Sequence, residues 1–127
     1  MILAASGIIL QNKKILLLQR SNYTQNYPEF WGCPGGRAEK GETAKQNVIR
    51  EVKEECNLDF KPTEILKTGV WQDRNYYRFL GNWSGEIKIQ EEEVQSFGWF
   101  TFKESFKLNL SFDYKEVIDL LHKKQLI

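Results

Sequence analysis

The sequence predicts an α/β fold, a mixed β-sheet sandwiched between helices. Three observations predict it. Apolar, β-branched runs at 2–10 and 15–19 read as strands. Helical periodicity follows, with Ala44, Val48, Ile49, Val52 and Cys56 on one side at about 100° per residue. More strand-like runs come next, and a second amphipathic helix closes the chain, with Tyr114, Val117, Ile118 and Leu121 at i, i+3, i+4 and i+7. Strands on both sides of one helix, with another helix at the end, suit a layered α/β arrangement.

The 127 residues suffice for one domain, 1–127, with a core that needs no staples. Hydrophobic content of 41% and charged content of 28% are ordinary for a globular chain. A net charge of +1 does not indicate a strongly basic nucleic-acid surface, so no duplex partner is expected. Cys33 and Cys56 have no zinc spacing and no disulfide framework around them. They read as reduced thiols of a cytoplasmic protein. No apolar run reaches the roughly 18 residues of a membrane span. Residues 1–10 lack a basic lead-in and read as strand rather than signal peptide. Neither repeat nor linker is visible.

Taken in order, residues 2–10 form a buried strand containing Gly7, and residues 11–13 a turn. A second strand ends at Arg20, which together suggests a hairpin. Residues 21–29 are a polar loop with Tyr23, Tyr27 and Pro28. Pro34-Gly35-Gly36 allows a sharp turn and close backbone approach. The first helix follows, with Thr43 and Gln46 as a capping box. Glu51, Glu54 and Glu55 fall at i, i+3 and i+4, so their carboxylates converge along one edge. Like charges in the last turns of a helix are locally unfavourable. Converging hard oxygen ligands are also what Mg²⁺ takes, together with phosphate oxygens and water. A solvated acidic face is the alternative reading of the three glutamates.

Beyond the helix, residues 65–72 read as a strand and residues 73–75 as a turn. Residues 76–83 form another strand, with Tyr77 and Phe79 on one face and Tyr76, Arg78 and Leu80 on the other. Residues 86–90 alternate around Ile87 and Ile89 as an edge strand would. Glu91, Glu92 and Glu93 form a charged loop before an aromatic strand containing Trp99 and Phe100. Asp113 with Glu116 is a candidate cap for the last helix, and His122 near its end reads as a surface residue.

Gly36, Glu42, Arg50-Glu51, Glu54-Glu55 and Leu58 reproduce the spacing G-x5-E-x7-R-E-U-x-E-E-x-G-U, where U is bulky and apolar. Chance agreement at the six Gly, Glu and Arg positions is about one in ten million per start position. The chain thus resembles a Nudix hydrolase of MutT-like size. The second glycine of the pattern is Asn57 here, the next-best residue for a left-handed position after a helix.

The resemblance implies an α/β/α sandwich and an activity. Water would cleave a diphosphate bond in a nucleoside diphosphate-linked compound, with Mg²⁺, or Mn²⁺ in its place, neutralising developing charge. It implies Glu51, Glu54 and Glu55 as metal ligands, a carbonyl at Gly35 as another, and a glutamate of the 91–93 loop as a further ligand or the base, Glu93 being chosen with Glu91 and Glu92 as the alternatives. The base is left open among Glu51, Glu54 and Glu93. Arg50 and Glu42 pair to shape the loop–helix junction and orient Glu51, with Gly36, Asn57 and Leu58 completing the box. Arg20 and Arg37 are candidate phosphate contacts, each equally well a surface charge. Tyr23, Tyr27, Trp31, Tyr76 and Tyr77 are candidates to stack on a base, and each also suits ordinary packing. Trp31 is expected beneath the box helix.

Among substrates, ADP-ribose hydrolases of this family tend to carry a proline shortly after the box, and no proline follows Pro62. The motif of coenzyme A hydrolases is absent. Tyr76 or Tyr77 keeps a dinucleoside polyphosphate hydrolase open. The compact chain with W-x-x-P-G-G most resembles (deoxy)nucleoside triphosphate pyrophosphohydrolases. A non-catalytic Nudix-fold nucleotide sensor is the alternative from another class, disfavoured by the complete set of box glutamates. Oligomeric state is not legible.

Overall fold

A computed structural model describes residues 1–127 and resolves two compact units. The first unit comprises Met1–Ile9 and Pro34–Lys88, the second Leu10–Cys33 and Ile89–Ile127.

The first unit carries a four-stranded mixed sheet in the order β5-β1-β7-β6. Its strands are β1 (Ile2–Ile8), β5 (Gly35–Arg37), β6 (Asp59–Trp71) and β7 (Arg74–Ser84). β1 runs parallel to β7 and antiparallel to β5, while β6 and β7 form a long antiparallel hairpin. Helix α1 (Ala44–Cys56) packs on this sheet through Val48, Val52 and Cys56, all fully buried. A Cβ at Gly7 of β1 would stand 3.1 Å from Val52 and 3.2 Å from Phe60, so glycine sets how closely the helix lies on the strand. Burial of Cys56 pushes its thiol up to about 12, which keeps it neutral in the core.

The second unit carries a second four-stranded sheet, in which β3 (Lys14–Arg20) pairs antiparallel with β2 (Leu10–Gln11), β4 (Trp31–Gly32) and β8 (Val94–Phe100). Its helices are the single turn α2 (Phe102–Ser105) and α3 (Tyr114–Lys123). α3 buries Tyr114, Val117, Ile118 and Leu121, the stripe its periodicity predicts.

Several expectations change. The N-terminal run is split: residues 10–11 alone make the hairpin with β3, through left-handed Asn12 and Lys13, and β1 pairs with β5 and β7 instead. Gly35 and Gly36 form a strand rather than a sharp turn. The close approach holds, since a Cβ at Gly35 would lie 2.3 Å from the Ala5 carbonyl. The turn after β6 is Gln72-Asp73, with Gln72 left-handed at φ 55°, one residue earlier than expected. The edge strand at 86–90 is absent. Its backbone serves the end of α1 instead: the Lys88 N–H donates to the Cys56 carbonyl, and the Glu86 carbonyl accepts from Asn57 Nδ2. Asp113 stands at the N-cap of α3 without a side-chain cap bond. Trp31 packs edge-on against Phe100, 5.2 Å between ring centres. Exposed His122 stacks on Phe102 at 3.7 Å. No helix is long and apolar enough to cross a membrane.

Candidate active site

The site is built at the last two turns of α1 and the adjoining strand β5. The helix starts where the sequence predicts. Thr43 accepts from the Gln46 N–H, and the Gln46 side chain accepts from the Thr43 N–H at 3.0 Å. It ends where predicted too, with Asn57 left-handed at φ 66°.

Arg50 is the centre of the cluster. Its Nε and Nη2 clasp Glu42 at 2.7 and 2.9 Å, a two-point grip on one carboxylate. The same Nη2 also reaches the Arg37 carbonyl at 3.1 Å. Nη1 donates to Glu51 Oε1 at 3.0 Å and Glu54 Oε2 at 3.1 Å. Glu42 holds the guanidinium in its charged form, well above its ordinary range. Reciprocally, Arg50 first and the Glu39 N–H second hold Glu42 below the usual carboxylate range. The junction formed by Glu42, Arg50 and Glu51 is the one the sequence implies.

The three box glutamates occupy different environments rather than one open edge. Glu54 is half exposed, and the Glu51 side chain is 13% exposed. Glu55 is buried and accepts the Gly35 N–H at 2.6 Å. A Cβ at Gly36 would meet the Glu51 carboxylate at 2.8 Å, so the box glycine leaves room for that carboxylate against β5. Glu51 and Glu54 bring one oxygen each to a single cationic nitrogen, which is the donor chemistry of a Mg²⁺ site. No three acidic, histidine or cysteine side chains close into a ready metal cage. The guanidinium is the cation now shared between the two carboxylates.

The remaining candidates fall in both units. Arg37 and Tyr76 belong to the first unit. Arg37 is exposed on β5. Tyr76 is buried on β7, its hydroxyl taking a bond from Lys67 at 2.8 Å and its ring lying under the Arg78 guanidinium at 4.3 Å. Arg20 and Glu93 belong to the second unit. Arg20 donates to the Asn26 carbonyl at 2.9 Å and lies over the Phe112 ring at 5.4 Å. Glu93 is exposed in the turn before β8, and its carbonyl accepts the Ser21 N–H. Of the stacking candidates, Tyr23 is exposed, Tyr27 lies against Phe112 and Phe30, and Tyr77 stacks on Phe79.

The sequence reading did not single out Asn47. It is fully buried in α1, with neither side-chain polar atom hydrogen-bonded. Helical periodicity carried the signal, because Asn47 lies one turn before Glu51 and next to Val48. Ile49, which periodicity places on the buried side, is 44% exposed instead. The sheet contacts α1 along 48, 52 and 55–56, rotating 49 toward solvent.

Comparison with known proteins fits this geometry. The family model described as NUDIX domain matches residues 1–121. The chain belongs to the Nudix family. It is 33% identical over 129 residues to the ADP-ribose pyrophosphatase of Methanocaldococcus jannaschii, covering 91% of this chain and 69% of that protein. It is 32% identical over 108 residues to putative nudix hydrolase 1 of Caenorhabditis elegans, covering 79% of this chain and 29% of that one. The chain thus spans less than a third of the worm protein's length. Among solved structures, the MutT NUDIX hydrolase of Burkholderia pseudomallei superposes with a TM-score of 0.84 at 20% identity, covering 94% of this chain and 97% of that one. A NUDIX hydrolase of Nitrosomonas europaea gives 0.83 at 20% identity, with 97% and 89% covered. At these identities the structural likeness establishes the Nudix fold, a mixed sheet with helices packed on it. The chain is accordingly a Nudix pyrophosphohydrolase, of a family that acts on nucleoside diphosphate derivatives and generally uses a divalent metal such as Mg²⁺.

Proposed function

We propose that this Nudix protein is a nucleoside triphosphate pyrophosphohydrolase whose metal ligands are Glu51, Glu54 and Glu55. The observation that carries the ligand assignment is the convergence of Glu51 and Glu54 on Arg50 Nη1. Two oxygens already gathered around one positive centre can be taken over by a divalent ion. When bound, that ion supplies charge neutralisation along the diphosphate. Glu51, held by Arg50 and given room by Gly36, is the oriented ligand. Glu54, half exposed, can reach solvent and is the residue we assign to accept a proton from the attacking water. Glu55 ties α1 to β5 through the Gly35 N–H, which supports the assignment of the Gly35 carbonyl as a further ligand. Arg37 is the assigned phosphate contact of this unit. Arg20 and Glu93 lie in the second unit, and the donor set of α1 is counted without them. The match of the family model through residues 1–121 supports reading 1–127 as one Nudix domain.

A second reading has its own support. The 33% identical relative is named an ADP-ribose pyrophosphatase, although the proline that tends to follow the box in such enzymes is missing beyond Pro62. The two are separated by a substrate screen covering nucleoside triphosphates, ADP-ribose, sugar nucleotides and dinucleoside polyphosphates. Release of pyrophosphate and a nucleoside monophosphate supports the first reading. Preferred cleavage of ADP-ribose to AMP and ribose phosphate replaces it with the second. Tight nucleotide binding with no cleavage of any compound would make the protein a sensor.

A further inference from the structure

Every donor of the box arginine is committed, yet one polar side chain on the same helix is not. Asn47 is 0% exposed, and neither Nδ2 nor Oδ1 has a hydrogen-bond partner in the protein. Its backbone is served normally, with the N–H donating to the Thr43 carbonyl at 2.9 Å. Buried amides without partners are rare and call for an explanation. A small apolar residue would fill the interior of α1 without the unmet donor and acceptor, and would favour the helix more.

Position supplies the explanation. Asn47, Glu51 and Glu55 are spaced by four residues and form one stripe of α1. Glu55 meets the Gly35 N–H, and the Glu51 carboxylate lies against Gly36. The stripe thus advances along β5 as the helix is followed backwards. Side chains four residues apart on a helix stand about 5–6 Å apart at Cβ, within reach of an amide-to-carboxylate bond. In the present arrangement Arg50 Nη1 holds Glu51 Oε1. A divalent ion held by Glu51 would compete with that hold, and the orientation of the carboxylate would then depend more on its other neighbours.

We propose that Asn47 is a positioning residue for Glu51: its Nδ2–H steadies the Glu51 carboxylate in the orientation that holds a divalent cation. The inference rests on the assignment of Glu51 as a metal ligand. It concerns the cation-loaded state, in which Arg50 would hold the carboxylate less firmly.

The test uses two variants, Asn47→Ala and Asn47→Leu. Alanine leaves space, whereas leucine keeps the branching in a bulkier apolar side chain, so an effect common to both reports the amide rather than a cavity. The melting temperature is measured against Mg²⁺ concentration with no nucleotide present, and Mn²⁺ binding is followed by its electron paramagnetic resonance signal. The expected result has three parts. Metal-free melting of at least one variant equals or exceeds the parent's. The Mg²⁺ concentration giving half the melting shift rises by about 10-fold in both. Mn²⁺ affinity falls in parallel. Variants that fold and respond to Mg²⁺ and Mn²⁺ over the parent's concentration range would overturn the proposal while leaving the metal assignment intact. A parent whose melting and Mn²⁺ signal ignore both ions would overturn the metal assignment and this proposal together. Loss of the fold in both variants would overturn it too, by making Asn47 a structural residue of the metal-free core.

Discussion

Glu55 shows how burial changes the meaning of a charge pattern. Spacing places it beside Glu51 and Glu54 as one of three repelling acids. In the fold it is 8% exposed, and its carboxylate accepts the Gly35 N–H at 2.6 Å. Repulsion relieved by Glu55→Gln is therefore offset by a lost charge-assisted bond between α1 and β5. The substitution is expected to lower metal-free stability by about 1–2 kcal/mol in denaturant titration. Turnover is expected to drop about 100-fold, equivalent to about 2.7 kcal/mol of transition-state stabilisation. A variant more stable than the parent would return Glu55 to the open edge. Asn57 tells a similar story on a smaller scale. Its left-handed φ of 66° was legible as a substitute for glycine. Its Nδ2 bond to the Glu86 carbonyl was not, because that partner lies 29 residues away. The bond offsets the gain that glycine would bring.

At the scale of elements, β5 separates fold from site within two adjacent glycines. A Cβ at Gly35 would strike backbone, 2.3 Å from the Ala5 carbonyl and 2.6 Å from Ser6 Cα. A Cβ at Gly36 would strike only the end of a side chain, the Glu51 carboxylate. Gly35→Ala is thus expected to cost about 2–3 kcal/mol in stability. Gly36→Ala should keep the fold to within about 1 kcal/mol while displacing Glu51 and reducing turnover at least tenfold. Unfolding titrations beside rate measurements check the pair, and equal stability losses would refute the distinction. The loop–helix junction carries a pH signature. Glu42 is held below its ordinary value by Arg50. Its contribution is complete above the unfolded value near 4.5 and disappears as pH falls through the lower folded value. Between about pH 5 and pH 3 the parent should therefore lose more stability than Glu42→Gln does. Parallel curves for the two proteins would mean the clasp contributes nothing. Helices α1 and α3 and the caps of α1 were legible because capping and periodicity are local, whereas Asp113 stands at the α3 N-cap without a side-chain bond. The β1 pairing and the fate of residues 86–90 were not, because they depend on which distant backbone groups claim the hydrogen bonds. The same limit hid Asn47, whose burial follows from how the sheet seats α1.

Across the whole molecule, the site features come from a few residues of one helix set against one short strand. Arg50 gathers Glu42, Glu51 and Glu54, and β5 receives Glu51 and Glu55. The box spacing made nearly all of these residues legible. It did not show that Glu54 shares one Arg50 nitrogen with Glu51, since spacing records which side chains can meet and not which donor they share. The central claim is that these carboxylates hold a divalent ion that the reaction requires. The most direct test is the rate of hydrolysis of the best substrate from the screen, measured with Mg²⁺, with EDTA, and with Mg²⁺ restored in excess of EDTA. Hydrolysis should stop with EDTA and return with Mg²⁺ in the parent, and Glu51→Gln should remain at least about 100-fold slower at saturating Mg²⁺. Undiminished hydrolysis in EDTA, or a Glu51→Gln variant with parental rate and Mg²⁺ response, would contradict the claim.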